Sequence, residues 1–260
     1  MDLKVVKKEE QKLVILLKGI DESYANTLRR IILTEVPTLA IKQVTLVKNS
    51  SALFDEIVAH RLGMLPLVTD LEMFTRPEKC TCKGAGCAKC QISFTLKAEG
   101  PITVYAEDLK CVDPKVKAVF GKMPIVMLLK GQELEFEAVA SLGTGKEHVK
   151  FAPGHVYYKG NPKITIDKVK DPDFIAKLCP TNVFNAEGKQ LKVADTERCI
   201  LCNACVDEND PKGGITVEAS TTDFLFYLES YGKLSCKEIL TIALDMLDEK
   251  IDVISLAVEK

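Results

Sequence analysis

The stretch ERCILCNACVDENDP (197–211) places Cys199, Cys202 and Cys205 in the C-x2-C-x2-C run that holds an iron–sulfur cluster. It then puts Asn209 where such a run carries its fourth cysteine. In two-cluster ferredoxins that fourth cysteine precedes a proline and ligates the cluster held by the other run. Cys179 is followed by Pro180, so it is the tail of an upstream run and completes the site begun by Cys199, Cys202 and Cys205. The upstream run's own first three positions are occupied by Val169, Pro172 and Ile175. The spacing therefore predicts one [4Fe-4S] cluster in a ferredoxin-like βαββαβ domain that has lost its other cluster. A [3Fe-4S] form after oxidative loss, and zinc or no metal on these thiols, stay open as alternatives.

The rest of the chain is of ordinary globular composition, with 260 residues, 47% apolar and 28% charged. A formal charge of −2 supplies no basic field for nucleic acid, so direct sequence-specific DNA binding is not expected. The N-terminus lacks the pattern of a signal peptide, and the longest apolar runs fall well short of the roughly 20 residues that span a bilayer. A cytoplasmic chain with no membrane contact is expected. Eight of its 10 cysteines fall into two clusters, which favours metal ligation over disulfides.

The second cluster is CTCKGAGCAKC, with Cys80, Cys82, Cys87 and Cys90 on one short loop. Four thiolates can close tetrahedrally on Zn2+, and Gly84 and Gly86 let the chain turn tightly around it. The x1 and x4 spacings are not those of a standard finger, so another metal or free thiols stay open. Cys111 and Cys236 are isolated and read as small buried hydrophobes. His60, His148 and His155 are not spaced as ligands. GTGKEH (143–148) lacks the first glycine of a phosphate loop, because Ala140 stands there, and DENDP (207–211) reads as a solvated turn.

Residues 12–18 (KLVILLK) read as a buried strand. A helix follows, with Asp21 or Ser23 as cap, an apolar stripe of Tyr24, Leu28, Ile31, Ile32 and Val36, and Pro37 at its end. Near the C-terminus, FLFYLES (224–230) reads as a strand. Ser235 and Glu238 then form a capping box before a helix running to about 257, with Ile239, Ile242, Ala243, Met246, Leu247, Ile251 and Ile254 on one stripe. Both chain ends thus offer a strand and a helix to one α+β domain, 1–44 with 217–260. Between them lie a β-rich insert, 45–166, carrying QISFTLKA, ITVYA and QELEFEAVA, and the cysteine-bearing segment 167–216.

ANTLRRIILTEVPTLAI (25–41), SALFDEIVAHRLGMLPL (51–67), ASLGTGKEHVKFAP (140–153) and DFLFYLESYGKLSCKEILTIALDML (223–247) together resemble the α-like assembly subunits of archaeal and eukaryotic RNA polymerases. With the ferredoxin-like insert, the match is to the archaeal branch of that family, counterpart of the eukaryotic third-largest subunit, and it covers almost the whole chain. The resemblance implies a discontinuous dimerization domain that pairs with an α-like subunit L. That heterodimer would recruit subunit N and the second-largest subunit, with phosphodiester chemistry lying in the two largest subunits. It also implies that Tyr24, Leu28, Ile32, Ile239, Ile242, Met246 and Leu247 form the heterodimer interface, and that Arg29 and Arg30 face the large subunits. The zinc-like loop resembles one in the eukaryotic counterpart, with one residue more between its second and third cysteines. The competing reading from the cluster alone is a ferredoxin-type electron-transfer protein or redox-enzyme subunit.

Overall fold

The computed structural model describes residues 1–209 and 211–258. Two compact units are present: one made of 1–8, 13–27 and 157–227, the other of 9–12, 28–156 and 228–260.

Strands from both chain ends and the middle build the first sheet. Its order is β1 (Asp2–Lys8), β2 (Lys12–Lys18), β12 (Ile215–Ser230), β9 (Gly154–Ile166). The KLVILLK strand forms as its sequence predicts, with Ile15 and Leu17 turned into the core at alternate positions. β1 pairs antiparallel with it and slips register between Val5 and Lys7. The sequence reading does not anticipate this strand: its charged DLKVVKK sequence suits an outer strand that leaves Leu3 and Val5 exposed.

Between β9 and β12 the chain runs through α3 (Pro172–Leu178), the antiparallel hairpin of β10 (Phe184–Glu187) and β11 (Gln190–Val193), and α4 (Ala204–Asp207). With its flanking strands this is the β-α-β-β-α-β order of a ferredoxin-like unit. A small core joins Ile175, Val183, Phe184, Leu191 and Ile215 to Cys199 and Cys205.

The β-rich middle of the chain forms the sheet β3 (Thr38–Asn49), β8 (Glu133–Gly143), β4 (Gln91–Glu99), β6 (Lys110–Cys111), with a separate ribbon of β5 (Ile102–Tyr105) and β7 (Pro124–Leu128). Alternate residues of β3, β4 and β8, including Leu39, Ile41, Phe94 and Phe136, enclose one core with Val58 and Leu62 of α2 (Asp55–Gly63). β3 crosses the expected limit at 44/45, and β12 crosses the one at 216/217, so these two divisions fall inside continuous strands.

Helix α1 (Glu22–Thr34) is capped by Asp21, whose Oδ1 accepts the Tyr24 N–H at 2.7 Å. Helix α5 (Cys236–Val258) opens on the expected capping box: Glu238 Oε2 accepts the Ser235 N–H at 2.8 Å, and Ser235 Oγ accepts the Glu238 N–H at 3.3 Å. The GTGKEH loop packs on the end of α1. A Cβ on Gly145 would lie 1.9 Å from the Leu33 carbonyl oxygen, so the glycine serves close packing rather than phosphate.

Lys233, in the turn before α5, is 5% exposed and donates to Thr38 Oγ1 at 3.4 Å and to the Lys150 carbonyl. Burial, with the Lys150 ammonium nearby, pushes its pKa down to about 8. The unfolded chain therefore binds more protons than the folded one between about pH 8 and the ordinary lysine value near 10.4, so stability rises with pH across that window. Denaturant unfolding should show this rise from pH 8 to 10 in the wild type, and Lys233→Met should flatten it.

Candidate metal centres

The first thiol site forms on a loop with little regular structure. Its base is closed by the Thr75 N–H donating to the Lys89 carbonyl at 2.8 Å, and a short 3-10 turn, Pro77–Lys79, leads into Cys80. Lys83, Gly84 and Gly86 all take left-handed backbone conformations, with φ of 53°, 84° and 91°. The glycines make that curl inexpensive. It brings the sulfurs of Cys80 and Cys87 to 3.6 Å, Cys82 and Cys90 to 3.5 Å, and Cys87 and Cys90 to 3.8 Å. All four sulfurs lie within 4.8 Å of one another.

These separations are far longer than the ~2.05 Å of a disulfide. They match the edge of a tetrahedron with metal–sulfur bonds of about 2.3 Å, which is about 3.8 Å. The loop is thus sized for one tetrahedral ion, and the four-cysteine cluster can bind a metal. The hydrogen bond from the Cys80 thiol pulls the Cys82 pKa down to about 6, with further help from the Cys90 thiol and backbone N–H groups against a burial effect that opposes it. At Cys90 the Cys87 N–H favours thiolate, but burial and the neighbouring thiols outweigh it and push the value up to about 12. Cys82 thus favours thiolate near neutral pH, whereas Cys90 would need a bound cation to ionise.

The second site lies in the ferredoxin-like unit. Cys179 directly follows α3, Cys199 follows a 3-10 turn at Thr196–Arg198, Cys202 lies in the next loop, and Cys205 is on α4. All four line one small cavity, walled by Val183, Phe184 and Val217. Leu201 and Asn203 adopt left-handed conformations, with φ of 58° and 59°, which wrap the C-x2-C-x2-C run around that cavity. Such conformations are costly away from glycine and persist where the surroundings hold them. Burial works against ionising Cys179, but hydrogen bonds from the Val183 N–H at 3.4 Å and with Thr181 Oγ1 at 3.6 Å overcome it and lower its pKa. Burial and the three other thiols raise that of Cys205.

The abandoned half of the ferredoxin pattern is filled. Pro172 and Ile175 are buried on α3, and Val169 packs against the same core. Asn209 is 2% exposed and donates Nδ2 to the carbonyls of Lys168 at 3.1 Å and Pro211 at 2.9 Å. An amide has become the local tie where a thiolate would stand. In DENDP, Asp207 ends α4, Glu208 is exposed, and Asp210 lies outside the described residues.

The helical stripes divide differently from the sequence expectation. Leu28, Ile32 and Ile239 are 0–1% exposed inside the chain itself, so they back the surface rather than form it. Tyr24, Ile242, Met246 and Leu247 are half-buried, as is Arg29, while Arg30 is exposed. The strongly exposed part of the α5 stripe comes later, at Ile251, Ile254 and Val258, with Val253 and Leu256 on its flank. Of these five, Ile251 and Ile254 belong to the stripe that the sequence pattern marks out.

Residues 41–156 match the family described as the RNA polymerase Rpb3/RpoA insert domain, which makes the middle of this chain a domain of α-like polymerase subunits. DNA-directed RNA polymerase subunit Rpo3 of Methanosphaera stadtmanae is 42% identical, with 97% of this chain and 96% of the relative covered. The proteins of the same name from Archaeoglobus fulgidus and Pyrococcus furiosus are 37% and 38% identical, covering 100% and 97% of this chain and 98% and 95% of the relatives. At that identity over essentially full length, the chain belongs to the Rpo3 family of archaeal DNA-directed RNA polymerase subunits. No helix among the described residues is long and apolar enough to cross a membrane.

The geometry of the first loop carries a direct test. Elemental analysis of purified protein should find about one tetrahedrally bound metal ion per chain at this loop, lost in Cys90→Ser. Because a filled site contributes on the order of 10 kcal/mol of apparent folding free energy, chelation should open the loop between Arg76 and Gln91 to proteolysis.

Proposed function

We propose that this chain is the non-catalytic assembly platform of an archaeal RNA polymerase. It pairs with the α-like subunit L and presents the heterodimer to subunit N and the second-largest subunit in the cytoplasm. Its dimerization part is drawn from both chain ends, with a β-rich insert and a ferredoxin-like segment between them.

The observation that carries this reading is the second half of α5. Ile251, Val253, Ile254, Leu256 and Val258 are 50–81% exposed on a helix whose first turns are packed. Burying such side chains is worth about 1.5–3 kcal/mol each, so a partner covering them gains a large share of a stable interface. Ile251, Ile254 and Val258 follow Leu247 at spacings of four, three and four, which suits another helix laid alongside.

In this reading Cys179, Cys199, Cys202 and Cys205 hold one [4Fe-4S] cluster, and Cys80, Cys82, Cys87 and Cys90 hold zinc. The cluster, when bound, supplies one-electron exchange and a four-point covalent tie. The chain's residues supply thiolates, an apolar wall and a curled loop. The tie matters most here, because a domain of about 50 residues buries too little surface to be stable alone. An electron relay is the weaker reading: the place of a second centre is filled by Val169, Pro172 and Ile175.

Co-expression with subunit L tests the pairing. Ile251→Asp with Ile254→Asp should abolish co-purification while leaving iron content unchanged, and a retained heterodimer would sink the proposal. For the ligand set, Cys179→Ser should lose most of the iron and acid-labile sulfide. Unchanged cluster content would refute the cross-run assignment.

A further inference from the structure

Lys159 sits on β9, forty residues before the cluster run, and its side chain does not run out into solvent. Its Nζ donates to the carbonyl oxygens of Glu197 at 2.5 Å and Cys199 at 2.7 Å. The ammonium lies 5.4 Å from the ring centroid of Tyr227 on β12, and that ring stacks on Tyr157 at 4.6 Å and 6°. The Tyr227 hydroxyl also donates to the Glu197 carbonyl at 3.3 Å. Two donors from paired strands thus converge on the backbone that leads into the first thiol of the run.

The other contacts on that backbone are local: the Cys199 N–H donates to the Thr196 carbonyl at 3.1 Å, and Arg198 pairs with Asp195 at 3.1 Å. Asp195 caps the short turn, with its Oδ1 accepting the Glu197 N–H at 2.9 Å. Beyond Cys199 the chain leaves regular structure for four residues, and Leu201 and Asn203 stand in left-handed conformations. Ligand loops of this kind depend on outer hydrogen bonds to fix the ligands. Cluster potentials also respond to net charge and hydrogen bonding nearby.

We propose that Lys159 is a positioning residue for the cluster. It clamps the Cys199 limb to the β9–β12 strand pair and sets a positive charge beside the thiolates. This rests on the assignment of the cluster to Cys179, Cys199, Cys202 and Cys205. The ammonium is fixed by two carbonyl acceptors and the Tyr227 ring, itself stacked on Tyr157, so the clamp is held where an ordinary surface lysine would wander.

The test uses the full chain, purified without oxygen, as wild type, Lys159→Met, Lys159→Arg and, as a charge control that does not line the cavity, Lys192→Met. Iron and sulfide content, the half-life of visible absorbance under chelator, and the midpoint potential followed by electron paramagnetic resonance are measured. Lys159→Met should lose its cluster about 10-fold faster, the low end for second-layer substitutions, and its potential should move to more negative values. Lys159→Arg and Lys192→Met should stay close to wild type in both. A loaded Lys159→Met with unchanged half-life and potential overturns the inference alone. If Lys159→Met takes up no cluster, the Arg variant decides: wild-type loading and potential support the clamp, and an empty Arg variant overturns it. A wild type without iron and sulfide sinks the cluster assignment and the clamp with it.

Discussion

The pairing of β9 with β12 is the constraint on which the ferredoxin-like unit depends. Neighbouring strands lie about 4.8 Å apart, so a segment inserted between two paired strands has both of its ends fixed at that spacing. Residues 167–214 are such a segment. Within it, the β10–β11 hairpin folds the chain back between Cys179 and the C-x2-C-x2-C run, bringing thiols twenty residues apart to one cavity. The same strand pair supplies Lys159 and Tyr227, so the sheet that fixes the ends of the insert also reaches into it.

The two thiol sites each offer four cysteine sulfurs and differ in how the chain spaces them. On the Cys80–Cys90 loop the sulfurs close to 3.5–3.8 Å, which suits a single ion. In the ferredoxin-like unit the thiols come from separate elements around a cavity with apolar walls, with Cys202 on its exposed side. Local turns suffice for the first. The second needs a fold.

What could be read from the sequence follows from this difference. The cysteine sets, KLVILLK, the capping box and the long C-terminal stripe were legible because each is a short-range pattern with a fixed spacing. β1 and α2 were not. The first is an outer strand whose charges hide its alternation, and the second is held by Val58 and Leu62 entering a core assembled from distant strands. Periodicity likewise found the stripes without telling which part the chain covers itself. Leu28, Ile32 and Ile239 are interior, and the exposed share lies at Ile251, Ile254 and Val258. Lys159 carried no signal at all, since a lysine in a strand takes its meaning only from the carbonyls it meets.

The bare end of α5 has a consequence for the cell. A helix that offers five large apolar side chains to water is a substrate for chaperones and degradation whenever it is made in excess. Under the proposed pairing, chain made in excess of its partner would keep that face bare, and surplus synthesis would end in turnover.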